Sequence, residues 1–91
     1  MTTADPWRVL FTRQAAQDAK KVAAGGLKPK VELLLEILRR DPFQAPPRFE
    51  KLRGDLAGAY SRRINVQRRL VYQVLQEQRV VKVLRMWTRY E

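Results

Sequence analysis

Cysteine and histidine are both absent from this chain of 91 residues. Without thiols there is no disulfide, and without thiols or imidazoles the usual zinc sites are excluded. The missing histidines also deprive the chain of its commonest acid–base group near neutral pH. Acidic residues are scarce, 9 against 19 Lys and Arg, for a net charge of +10. No apolar run approaches the ~20 residues a membrane span needs. The opening stretch, MTTADPWRVLF, lacks the basic segment that begins a signal peptide. The expectation is therefore a cytoplasmic protein with no membrane partner, no metal and no disulfide.

What is present is enough apolar material, 45% of residues, for a modest core. The length suits one compact domain spanning 1–91, with no room for a second core. So much positive charge on so small a domain calls for a polyanionic partner, with nucleic acid ranked first, an acidic protein second and an anionic membrane third.

Along the chain, Trp7 to Phe11 reads as a first strand. Thr12 can cap a helix from Arg13 to Ala24, whose Ala15, Ala19, Val22 and Ala23 form a thin small-residue face. Gly25 and Gly26 end it. A second helix starts near Lys28 or Pro29, with Val31, Leu34, Leu35 and Leu38 as a core stripe, and stops at Asp41-Pro42. The segment from Pro42 to Arg48 carries three of the five prolines and predicts irregular chain. Strands follow over Ala59 to Asn65, Arg69 to Leu75, and Val80 to Trp87, with a hairpin at Gln76 to Gln78. This order predicts an α+β domain: two N-terminal helices packed on a mainly antiparallel sheet of four to five strands. The sheet face away from the helices would carry Arg62 or Arg63, together with Arg69, Lys82 and Arg85.

The stretch from Asp41 to Val74 holds DPF, then FEKL, then L-x-G-x-Y-SRRI, then RRLVYQV. This combination resembles the Txe/YoeB branch of the RelE/ParE toxin superfamily, and the ending RMWTRYE is similar to the tail of that branch. The first forty residues match by layout only. The resemblance implies a RelE-like fold and a toxin of a type II toxin–antitoxin system. Such a toxin is a ribosome-dependent endonuclease that cuts mRNA by 2′-hydroxyl attack on the adjacent phosphate, with no cofactor. The implied partners are an acidic YefM/Phd-like antitoxin, the rRNA of the decoding site and mRNA, and homodimers are common in the branch.

By the same resemblance Glu50 takes the place of the base, Arg69 that of the phosphate-gripping arginine, and Arg63 that of its helper. A guanidinium suits the task because its planar fork grips two oxygens and keeps its proton. Arg62 is expected to touch a phosphate elsewhere or an antitoxin carboxylate. Lys51, Arg53, Lys82 and Arg85 are expected to bind RNA, and Trp87 either stacks on a base or packs against the first helix. The branch ends in His-Tyr, with the His as general acid. Here Arg89 and Tyr90 stand in those positions, and an arginine stabilises charge but donates a proton poorly. Two rival expectations stand beside the nuclease: a catalytically weakened or silent relative that binds its antitoxin and co-represses the operon, and a ParE-like gyrase poison.

Overall fold

The computed structural model describes residues 6–89. The order is β1 (Arg8–Phe11), α1 (Arg13–Ala24), α2 (Lys28–Arg40), β2 (Phe49–Lys51), a single 3₁₀ turn (Gly54–Leu56), β3 (Ala59–Arg63), β4 (Arg68–Leu75) and β5 (Val80–Arg89). The five strands form one sheet in the order β1-β5-β4-β3-β2. Only β1 runs parallel to its neighbour β5; the other three pairings are antiparallel. The fold matches the expected helix pair on a mainly antiparallel sheet, and the upper strand count holds.

Local chemistry explains the helix ends. Thr12 Oγ1 accepts from Ala15 N–H at 3.0 Å, capping α1, and the same hydroxyl donates to the Leu84 carbonyl. Gly25 and Gly26 close α1, with Gly26 at φ +76, a conformation that costs a glycine little. In α2, Val31, Leu34, Leu35 and Leu38 are buried on one face as their spacing predicts. They meet Leu70, Tyr72, Val81, Val83 and Met86 of the sheet and Ile64 of the turn after β3. Each fully buried leucine there contributes about 1.5–3 kcal/mol relative to exposure.

Two features of the fold lie outside the sequence expectations. One is β2, three residues long, which the proline-rich segment delivers to the edge of β3. The other is Asp18 of α1, fully buried at 0% exposure. Strand β1 ends at Phe11, opposite Val83, so the rest of β5 is left without a neighbour on that side. Asp18 Oδ2 fills the gap, accepting from Met86 N–H at 2.9 Å and Arg85 Nε at 3.0 Å, while Gln14 donates to Oδ1. Burial on its own would raise the Asp18 carboxyl, but these three donors and the Arg85 charge together hold it below its ordinary 3.8.

Candidate active site

Strand register decides which side chains share a face. Tyr60 pairs with Tyr72 and Arg62 with Leu70, so these four point toward the helices. Ser61 pairs with Val71 and Arg63 with Arg69, which therefore occupy the outer face. On β2, Glu50 pairs with Ser61 and joins that outer face. Glu50, Arg63 and Arg69 are thus brought together by three different strands.

Strand spacing sets how far apart they stand. Glu50 and Arg69 are two strands and two residues apart, roughly 12 Å between Cα atoms at ordinary sheet spacing. An arginine and a glutamate reaching toward each other span most of that distance. Arg63 and Arg69 face each other directly, an arrangement of like charges that ordinarily destabilises a strand pair. A guanidinium pair of this kind can hold one anion between its planar forks. Beside them lies an open groove of about 640 Å³, lined by Glu50, Ser61, Arg63, Arg48, Lys30, Pro47 and the Ile64–Val66 turn. Glu50 is half-exposed and its Oε2 lies 3.5 Å from Nη2 of the exposed Arg48. An exposed pair of that length contributes little and leaves the carboxylate available.

Arg62 overturns its expectation. It is 1% exposed and faces the helix side, so no RNA phosphate or antitoxin carboxylate can reach it there. Its Nη1 donates to the Pro47 carbonyl at 2.6 Å and its Nη2 to the Pro42 carbonyl at 2.9 Å. Its Cζ lies 5.0 Å from the Phe49 ring centre and 5.9 Å from that of Tyr72. Tyr72 donates to the same Pro42 carbonyl at 3.0 Å. Burial pushes the Tyr72 phenol above its ordinary 10.0, against the opposing pull of the Arg62 charge. Arg62 is a staple for the proline-rich segment.

The remaining expected residues divide. Lys82 lies on the outer face, opposite Gln73 and one row from Ser61 and Val71. Arg85 aligns with Val71, but its Nε is committed to Asp18, so its first role is structural. Lys51 is exposed, and its register with Tyr60 sends it to the face opposite Glu50. Arg53 is exposed just before the 3₁₀ turn. Of the two alternatives for Trp87, the structure shows packing: a Cβ on Gly25 would stand 3.0 Å from its Cη2, and Arg68 Cζ lies 4.1 Å from its ring centre.

Two slips in the β4–β5 register, between Arg69 and Val71 and between Val71 and Tyr72, break simple alternation. As a result Thr88 pairs with Arg69, whereas exposed Arg89 pairs with Arg68. The register thus aligns Arg89 with the neighbour of Arg69 rather than with Arg69 itself. Tyr90 lies outside the described residues. Sequence reasoning passed over Ser61 even though it stands inside the SRRI motif, because only the pairing with Glu50 reveals its place.

Residues 11–90 match the profile of the YoeB-like toxins of bacterial type II toxin–antitoxin systems. The toxin YoeB of Streptomyces coelicolor is 36% identical over 76 residues, covering 81% of this chain and 90% of that one. Among solved structures, the YoeB/ParE toxin from Agrobacterium tumefaciens superposes with a TM-score of 0.81 at 27% identity, covering 91% of this chain and 99% of the other. The heterotetrameric YoeB–YefM toxin–antitoxin complex from Staphylococcus aureus contains a chain with a TM-score of 0.72 and 33% identity, covering 92% of this chain and 98% of that one. With a RelE-like helix pair and sheet, and with the family profile matched along most of its length, the chain belongs to the YoeB-like toxin family of bacterial type II toxin–antitoxin systems.

Proposed function

We propose that this toxin is a ribosome-dependent endoribonuclease that blocks translation by cutting mRNA in the cytoplasm. The observation that carries this reading is the outer sheet face, where Glu50 stands one strand from Arg63 and two from Arg69, the direct cross-strand partner of Arg63. In the proposed reaction the Glu50 carboxylate takes the proton of a ribose 2′-hydroxyl, and the freed oxygen attacks the adjacent phosphorus. Arg69, assisted by Arg63, neutralises the charge gathering on the phosphorane oxygens. The bond to the 5′-oxygen of the next nucleotide breaks, leaving a cyclic phosphate and a 5′-hydroxyl once that oxygen gains a proton. A sheet holds these groups more rigidly than a loop, which is what meeting a transition state requires. The net charge of +10 supports docking on ribosomal RNA, with Lys82 and Arg53 among the contributors.

Inhibition is assigned to an acidic antitoxin. The Staphylococcus aureus relative forms a heterotetramer with YefM, and a strongly basic surface suits a negatively charged binding segment.

Expression of the chain alone, with transcript 5′ ends mapped in arrested cells, tests the reading. Cuts in translated mRNA that vanish with Glu50→Ala and with Arg69→Ala are the expected result. Arrest with intact mRNA and broken DNA would instead identify a gyrase poison. The absence of any histidine supports one second reading, an attenuated enzyme or silent relative, for which growth without arrest is the signature.

A further inference from the structure

Ser61 is an anomaly of the outer face. It is 1% exposed, and its Oγ has no hydrogen-bond partner among the described residues. Buried hydroxyls are seldom left this way, because the loss of hydration has no compensation. Nor does strand formation call for serine, since β-branched and aromatic residues suit a half-buried sheet better. A local rule broken without evident structural gain is commonest where a residue serves the site.

The position narrows the explanation. Ser61 is the direct cross-strand partner of Glu50, and both line the groove that also holds Arg63. Directly opposed residues have Cβ atoms about 4.5–5.5 Å apart. Rotation about a single side-chain bond lets a serine hydroxyl reach a carboxylate at that spacing. The present partner of Glu50, exposed Arg48 at 3.5 Å, is weakly held and easily exchanged.

We propose that Ser61 is a positioning residue whose hydroxyl donates to the Glu50 carboxylate and holds it toward the Arg63–Arg69 pair when RNA fills the groove. The proposal rests on the reading of Glu50 as the base. Arg48 keeps the carboxylate at the groove rim in the free protein, and Ser61 takes it over as substrate displaces Arg48. No bond is made or broken by Ser61, and its proton stays on Oγ.

The test compares wild type, Ser61→Ala and Ser61→Thr on programmed ribosomes under single-turnover conditions. Ser61→Ala is expected to slow cleavage about ten-fold at saturation with KM unchanged, the loss typical of a hydrogen bond to a charged group. Ser61→Thr, which keeps the hydroxyl, should recover most of the rate. The ¹³C resonance of the Glu50 carboxyl in the toxin bound to a 2′-deoxy RNA analogue on the bench should move in Ser61→Ala and return in Ser61→Thr. Unchanged cleavage in Ser61→Ala overturns the proposal, and so does a raised KM at constant rate, which would mean that Ser61 binds RNA itself. Equal losses in both variants also overturn it, because they report packing. Cleavage that survives Glu50→Ala would refute the base reading instead, and the carboxyl resonance would then decide the Ser61–Glu50 contact alone. That resonance also decides if the wild-type chain proves silent.

Discussion

Replacing Arg62 by alanine tests whether the staple or the RNA ligand is the correct account of that residue. The side chain donates to two carbonyls at 2.6 and 2.9 Å and lies against two aromatic rings. Hydrogen bonds involving a charged group contribute about 1.5–3 kcal/mol each, and truncating a large buried side chain to alanine typically costs about 2–5 kcal/mol. Three effects bring the total below a simple sum. The Pro42 carbonyl keeps its bond from Tyr72, the Pro47 carbonyl lies near the surface where water can reach it, and the cost of burying a guanidinium disappears. The expected loss is therefore about 3 kcal/mol, a large share of the ~5–15 kcal/mol that holds such a domain together. In thermal terms that is a fall of roughly 12–24 °C for a domain of this size. Urea unfolding followed by tryptophan fluorescence measures it, with the midpoint falling and the slope preserved. Arg62→Lys should recover part of the loss, because an ammonium has no planar fork to serve two carbonyls at once. A loss under 1 kcal/mol, joined to weaker ribosome binding and a shallower salt dependence, would refute the staple and restore the phosphate contact.

Three further outcomes follow from the same geometry. Asp18→Asn should cost about 1–3 kcal/mol at neutral pH by weakening the seal on the open edge of β5. Because the native carboxyl titrates below its ordinary value, its contribution is present above pH ~4 and is lost as pH falls through the native value; urea midpoints of wild type and variant should converge in acid. Tyr72→Phe should cost about 1 kcal/mol, read from urea midpoints near neutrality. The native phenol titrates above 10.0, so wild-type stability should lose its advantage over the variant as pH rises past that range, and phenolate absorbance locates the transition. Arg89→His should raise ribosome-dependent cleavage by up to about 10²-fold if the tail supplies the leaving-group proton; an unchanged rate would show that another group does so.

Much of the fold is legible in the chain because its signals are local. The leucine stripe of α2, the glycines after α1 and the β-branched runs of β4 and β5 each act within one element. The features that escaped depend on distant pairing. Three residues of β2 carry no readable period, and only the edge of β3 makes them a strand. Asp18 looks like one more polar residue on a helix, yet its role is set by where β1 stops relative to β5, which begins more than sixty positions later. Alternation alone puts Arg85 on the outer face, and the register slips along β4 and β5 are invisible in the side-chain pattern.

The neighbouring arginines of the SRRI motif show how the two kinds of information combine. Alternation requires that one of Arg62 and Arg63 face inward, but it does not say which. The choice follows from the surroundings: the inward side offers two aromatic rings and two proline carbonyls, and the outward side offers Arg69 across the strand pair. Inward and outward roles are then coupled. Arg62 fixes both ends of the segment between Pro42 and Pro47, and that segment leads directly into β2, whose register puts Glu50 on the outer face. A buried cation therefore holds in place the strand that carries Glu50 to the face shared by Arg63 and Arg69. Loosening it should reduce cleavage beyond what lost stability explains, because a glutamate on a three-residue edge strand has little else to orient it.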